Sequence, residues 1–275
     1  MFKLLRWFIN FLGVKVMSKQ EKLALDVIEK SMNLPYVKVN RDEFLIRTFQ
    51  GSKHSASEIL EKGPLDLFSK SELDKKANKV INSNVLKSSS ASFAAGIPGG
   101  FAMAATIPAD LIQFYGFTLK LAQEISYIYG YDSLFDENEE LTDEAHDTLI
   151  LYLGIMFGVT AAGSSIRIAS QKASQQALKS IPGKALTKTF YYPILKKVLK
   201  VFGVKLTKDS FSKAVSKTIP FVGGAVSGGL NYASMKPMAR RLRDELRKDR
   251  DDYSKEDYEN DLKILNITED DLIIE

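Results

Sequence analysis

No cysteine occurs in the 275 residues. The chain therefore carries no disulfide framework, thiolate metal site or cysteine nucleophile. Histidine is scarce too: two residues leave little material for an imidazole ligand set or an acid–base pair. A large charge of one sign is also missing, because a net +4 is too small by itself to imply a nucleic-acid partner. Long apolar runs are absent as well. Crossing a bilayer takes about 20 predominantly apolar residues, and the densest stretch, Leu149 to Ala162, falls short of that. What the chain does have is an ordinary globular balance, 45% hydrophobic and 26% charged, which excludes wholesale disorder.

Catalytic motifs are missing in the same way. Ser227 precedes Gly228, but Ala225 stands where a G-x-S-x-G elbow needs its first glycine. Gly183-Lys184 lacks both the upstream glycine and the following hydroxyl of a phosphate-binding loop. Asp143, His146 and Asp147 share a helix face and offer donors a divalent ion would accept. The simpler reading is an acidic first turn that stabilises its helix dipole. His54, in a polar loop, reads as exposed. The chain is accordingly read as non-enzymatic, with no cofactor and no metal.

Charge is spread unevenly. Asp132 to Asp147 holds eight acids and no Lys or Arg, whereas Arg167 to Lys217 holds twelve basic residues and one acid, Asp209. Three stretches carry no charge at all: Ser88–Ala109, Thr148–Ile166 and Thr218–Met235. The first contains the bend Gly96, Pro98, Gly99 and Gly100, since proline lacks an amide donor and clashes with the turn before it. Pro108 then opens a helix, with Asp110 in its positive first turn. Leu111, Phe114, Phe117, Leu121, Ile125 and Ile128 predict a core stripe that stops at Gly130. Gly154 with Gly158, and Gly224 with Gly228, sit one turn apart, a spacing that lets another backbone approach closely.

Elsewhere the pattern is helical throughout. Leu23, Val27, Ile28 and Ser31 mark a first helix ending before Pro35. Asn40 reads as an N-cap with Glu43 at N3, Lys62 to Pro64 as a turn, and Ser71 to Leu86 as helix. Thr142 caps the helix after the acidic loop. No period-2 alternation longer than "YVKV" demands a strand.

The first 16 residues form a short amphipathic segment. Leu5, Phe8, Ile9 and Leu12 make one stripe flanked by Phe2 and Trp7, while Lys3, Arg6 and Asn10 take the other side. That pattern suits a helix lying in a membrane interface, or one docked on the protein's own core. Met17 is an alternative start. In the basic segment, Phe190, Tyr191 and Tyr192 offer faces on which bases stack. They lead, however, into Ile194, Leu195, Val198 and Leu199, with Lys196, Lys197 and Lys200 facing away. Lys188 precedes them. Such a helix fits an anionic lipid surface better than bases.

Three stretches together resemble the EcsC family: "AGIPGGFAMAATIPAD", a helix ending "ISYIYGYD", and "IPFVGGAVSGGLNYASM", which runs from Ile219 through Asn231 to a basic helix. The resemblance covers roughly Val37 to Arg247, and the segment Phe190–Phe211 is similar to a Firmicutes-like subgroup. It implies an all-helical, membrane-associated protein and, through the family's link to an ABC transporter, a transporter or envelope process as its context. It brings no catalytic residues.

The expectations are these. The fold is all-α: a compact helical domain with Gly/Ala-rich central helices, spanning 17–250, preceded by an interface helix (1–16) and followed by a loosely docked acidic tail (251–275). The function is peripheral membrane association on the cytoplasmic inner face. Anionic lipid is bound through Phe2, Lys3, Arg6, Trp7, Phe8, Lys188, Lys196, Lys197 and Lys200, with no nucleic acid involved. Two alternatives stand beside it: a hydrolase or lipid-modifying enzyme with its site near the Gly-Pro-Gly bend and Asp110, and an acyl-chain carrier.

Overall fold

The structure, a computed structural model, describes residues 18–95, 109–136, 140–173, 188–206, 223–248 and 253–266. The fold is all-α. Among the described residues the elements are α1 (Lys19–Met32), α2 (Arg41–Phe49), α3 (Ala56–Lys62), α4 (Pro64–Leu67), α5 (Lys70–Ala95), α6 (Ala109–Ile128), α7 (Asp143–Met156), α8 (Thr160–Ala173), α9 (Lys188–Leu206), α10 (Gly223–Leu246) and α11 (Lys255–Leu265). The one β feature there is an isolated antiparallel bridge between Phe135 and Leu141. The chain divides into two compact units. The first takes Met1–Lys38, Asn84–Lys120 and Leu199–Met235; the second takes Val39–Ser83, Leu121–Val198 and Lys236–Glu275.

Helix starts follow local chemistry. Ser18 caps α1 through a reciprocal capping box with Glu21, and Ser55 does the same for α3 with Glu58. Asn40 accepts from the Glu43 N–H to open α2, and the Thr142 hydroxyl accepts from the Ala145 N–H to open α7. Such a cap stabilises a helix by about 1 kcal/mol. Gly63, at φ 81°, separates α3 from α4 as the Lys62–Pro64 turn predicts.

In the first unit, α1 buries Ala24, Leu25, Val27 and Ile28, and its Ser31 hydroxyl donates to the Ile112 carbonyl of α6 at 3.0 Å. Two mid-helix glycines set the spacing. A Cβ at Gly116 would meet Leu34, Tyr36 and Val37. One at Gly203 would meet the Gln20 backbone carbonyl. Aromatic pairs fill the rest: Tyr36 lies 4.9 Å from Phe117, and Tyr115 meets Phe202 edge-on at 4.6 Å.

In the second unit, α7 and α8 pack against each other as a helical hairpin. Phe49 stacks on Phe68 at 4.3 Å, and Tyr127 and Tyr152 are fully buried. Burying side chains of this size contributes about 1.5–3 kcal/mol each.

Several expectations need correction. The run Thr148–Ile166 is not one helix. It breaks at Phe157–Val159, where Gly158 takes φ 81°, a conformation glycine adopts without Cβ strain. Gly154 alone of that pair is a packing glycine, lying against Val198 and Ala162. The helix expected to end near Leu86 continues to Ala95 as α5. α10 joins the third uncharged run to the basic helix, with Pro237 inside it. Pro237 and Ala233, one turn earlier, are both exposed, so water can meet the carbonyl that proline leaves unpaired. The α6 stripe also widens into more than a stripe: residues 121 to 129 are buried on every side. Gln123 there accepts from the Val39 N–H at 3.2 Å, a buried polar group kept satisfied.

Candidate functional site

The N-terminal candidates Phe2, Lys3, Arg6, Trp7 and Phe8 lie outside the described residues, as do Gly96, Pro98, Gly99, Gly100 and Pro108. Asp110 is the second residue of α6, within the first turn as expected. Gly224, Gly228 and Asn231 lie in the helical backbone of α10. Gly130 takes φ 75° and ends α6. A Cβ there would strike Leu65, so the glycine both reverses the chain and makes room for α4.

The basic candidates converge on α9. Lys188 is its first residue. Lys197 and Lys200 are exposed and Lys196 is half-buried. At 100° per residue these three fall within one face, together with Val204, which is 46% exposed. On the opposite face Ile194, Leu195, Val198, Leu199 and Phe202 are all buried. Val198 packs on Gly154. The apolar side of this helix is therefore used within the protein, and what it offers a surface is charge. In α9, then, the described residues show an amphipathic helix whose apolar side is covered from within the protein.

His146, expected among solvated acids, is buried, and its Nδ1 lies 3.7 Å from the Asp147 carboxylate. No group of three His, Asp or Glu residues that would hold a metal ion is present among the described residues. His54 is not a bare loop residue either. Its ring nitrogen meets the Leu67 carbonyl at 3.1 Å, and the ring stands edge-on to Phe68 at 5.2 Å.

One polar cluster was not anticipated. Asp261 of α11 is 2% exposed. It accepts from Ser164 at 2.8 Å, from Tyr253 at 2.7 Å and from Arg167 through both Nε and Nη2. Arg167 also pairs with Glu245 of α10, which Lys248 holds from the other side at 2.7 Å. Burial pushes the Asp261 carboxyl up, but the hydrogen bonds from Arg167, Tyr253 and Ser164 and the charge of the guanidinium outweigh it. The group is held below the usual carboxylate range. Burial, reinforced by the bond to Asp261, pushes the Tyr253 hydroxyl upward. With four donors on its oxygens, this carboxylate is a clamp and not a catalytic base. It also docks α11 on α8; the end of the expected tail, 267–275, lies outside the described residues. The only advance signal was Arg167 itself, the first charge after 19 uncharged residues.

No helix among the described residues is long and apolar enough to cross a membrane. Comparison with protein-family models, curated proteins and solved structures finds no match. The resemblance to the EcsC family thus rests on the quoted motifs alone.

Proposed function

We propose that the protein is a non-enzymatic, peripheral membrane protein of the cytoplasmic face, of the EcsC kind, which binds anionic lipid and serves a transporter or envelope process. The observation that carries this reading is the α9 face. There Lys196, Lys197 and Lys200 line up beside an exposed Val204, while the helix is anchored from behind by its own buried stripe. A row of lysines next to an exposed aliphatic suits headgroup phosphates, with the lysine stems lying along apolar surface.

Each basic residue near an anionic leaflet contributes about 1 kcal/mol. Replacing Lys196, Lys197 and Lys200 by Gln should therefore weaken binding on the order of 100-fold at low salt. Liposome co-sedimentation of the full chain, with neutral and anionic vesicles at two salt concentrations, is the measurement. Salt-sensitive pelleting with anionic vesicles that the triple variant loses is the expected result. A protein that stays in the supernatant under every condition overturns the reading.

A further inference from the structure

We infer that the second unit carries another lipid-facing surface, formed where side chains of α10 reach α5, and that this surface seats a headgroup phosphate at one end. The inference rests on the peripheral membrane reading above and places a contact that the sequence did not single out.

Two side-chain contacts link the helices, in opposite chain order. Arg243 donates to the Asn78 side chain, and one turn on, Arg247 pairs with Asp74 at 3.2 Å. Lys70, Lys75 and Lys79 on α5 are exposed, as are Arg240, Arg247 and Lys248 at α10. The acids of the same stretches are engaged on the ridge itself, and the cleft cations Arg247 and Lys248 keep their pairs with Asp74 and Glu245. Asp74 accepts from Tyr129 at 2.7 Å as well as pairing with Arg247, and Glu245 holds Arg167 and Lys248. Glu72 caps α5 through Ser69, and Asp244 is taken by Arg243. Lys75, Lys79 and Arg240 thus present an excess of positive charge to solvent.

At one end of the ridge lies a cleft of about 40 Å³, several times the space one water occupies and enough for a single tetrahedral oxyanion. Lys70, Arg247 and Lys248 line it with three leucines and Tyr129, and no carboxylate does. Burial and repulsion from Arg167 lower the Lys248 pKa, and an anion in the cleft would relieve that repulsion. One of the leucines is Leu65, 43% exposed and set over Gly130. Cations around a phosphate-sized cleft with an aliphatic side chain standing out beside it match a lipid at its headgroup, where phosphate and acyl chain are adjacent. Stacking on bases would call for exposed aromatics, and the described residues of this ridge present none.

The test uses the full chain and vesicles of phosphatidylcholine with 20 mol% phosphatidylglycerol. The variant Lys75→Gln/Lys79→Gln/Arg240→Gln should bind on the order of 100-fold more weakly at low salt. It should do so equally in a background that lacks the α9 lysines. Leu65→Ser should weaken binding several-fold without changing the salt dependence. If both ridge variants bind like the wild type while the α9 variant does not, the ridge is not a lipid surface, and the peripheral reading survives. If the wild type pellets with no vesicle, both fall together. Duplex DNA binding by the wild type that the ridge variant loses would replace lipid with nucleic acid as the occupant.

Discussion

The two units differ in emphasis, although the second also has a packing glycine at Gly154 and the first a hydrogen bond from Ser31 to Ile112. In the first, close approach is made by deleting side chains: Gly116 and Gly203 bring α6 and α9 against their neighbours, and aromatic pairs fill what remains. In the second, polar pairs link helices far apart in sequence: Arg167 with Asp261 and Glu245, Tyr129 with Asp74, and Lys76 with the Thr48 carbonyl at 2.6 Å. Contacts of the first kind depend on shape and are indifferent to pH and salt. Contacts of the second kind depend on charge state, and removing one partner leaves the other short of a counter-charge.

The largest effect should come from Asp261→Ala. It strips the Arg167 guanidinium, 17% exposed, of one of its two carboxylates, and should destabilise the second unit by about 3 kcal/mol. Hydrogen exchange should show faster opening of α8 and α11 with α1 unaffected. Equal acceleration in α1 would erase the contrast between the units.

Acid should act on the same contact without mutation. The folded Asp261 carboxyl lies below its ordinary value, so its contribution is complete above the unfolded pKa of about 3.9. It is then lost as pH falls through the lower folded value. Exchange from α8 and α11 should rise below about pH 4, by less than in the alanine variant, because a protonated carboxyl still accepts from Ser164 and Tyr253. A flat pH profile in the second unit would contradict this.

Gly203→Ala sharpens the other side of the comparison. Its Cβ meets a backbone carbonyl that cannot rotate away, and overpacking of this kind costs about 1–3 kcal/mol. Thermal denaturation should show that loss unchanged between low and high salt. The smallest effect is Asn40→Ala, about 1 kcal/mol from the lost cap on α2, visible as a modest fall in melting temperature.

Much of this was legible in the chain, and the boundary is instructive. The caps at Asn40 and Thr142, the turn at Gly63 and the stop at Gly130 are set by neighbours within a few residues, so local chemistry predicts them. The buried and exposed faces of α9 follow from periodicity alone. Glycine defeats this kind of reading, because spacing does not separate a packing position from a turn: Gly154 and Gly158 look alike in sequence and do opposite things. Gly116 and Gly203 gave no signal for the same reason. The Arg167–Asp261 clamp joins residues 94 apart, and nothing local to either one names its partner. Of the candidate site, the lysine face was foreseen, whereas the α5–α10 ridge depends on which helices come to lie together.

The left-handed turn at Gly158 has a consequence in time. It joins α7 to α8 through three residues, so the pair can close as soon as both have been synthesised, with little loop entropy to overcome. Arg167 is then already in place on a formed hairpin, and its carboxylate from α11 follows 94 residues later. At about 5–20 residues per second, the nascent chain spends roughly 5–20 s with that guanidinium still short of the Asp261 carboxylate. During synthesis, a helix that the mature protein clamps by charge stands for a time without the carboxylate that completes the clamp.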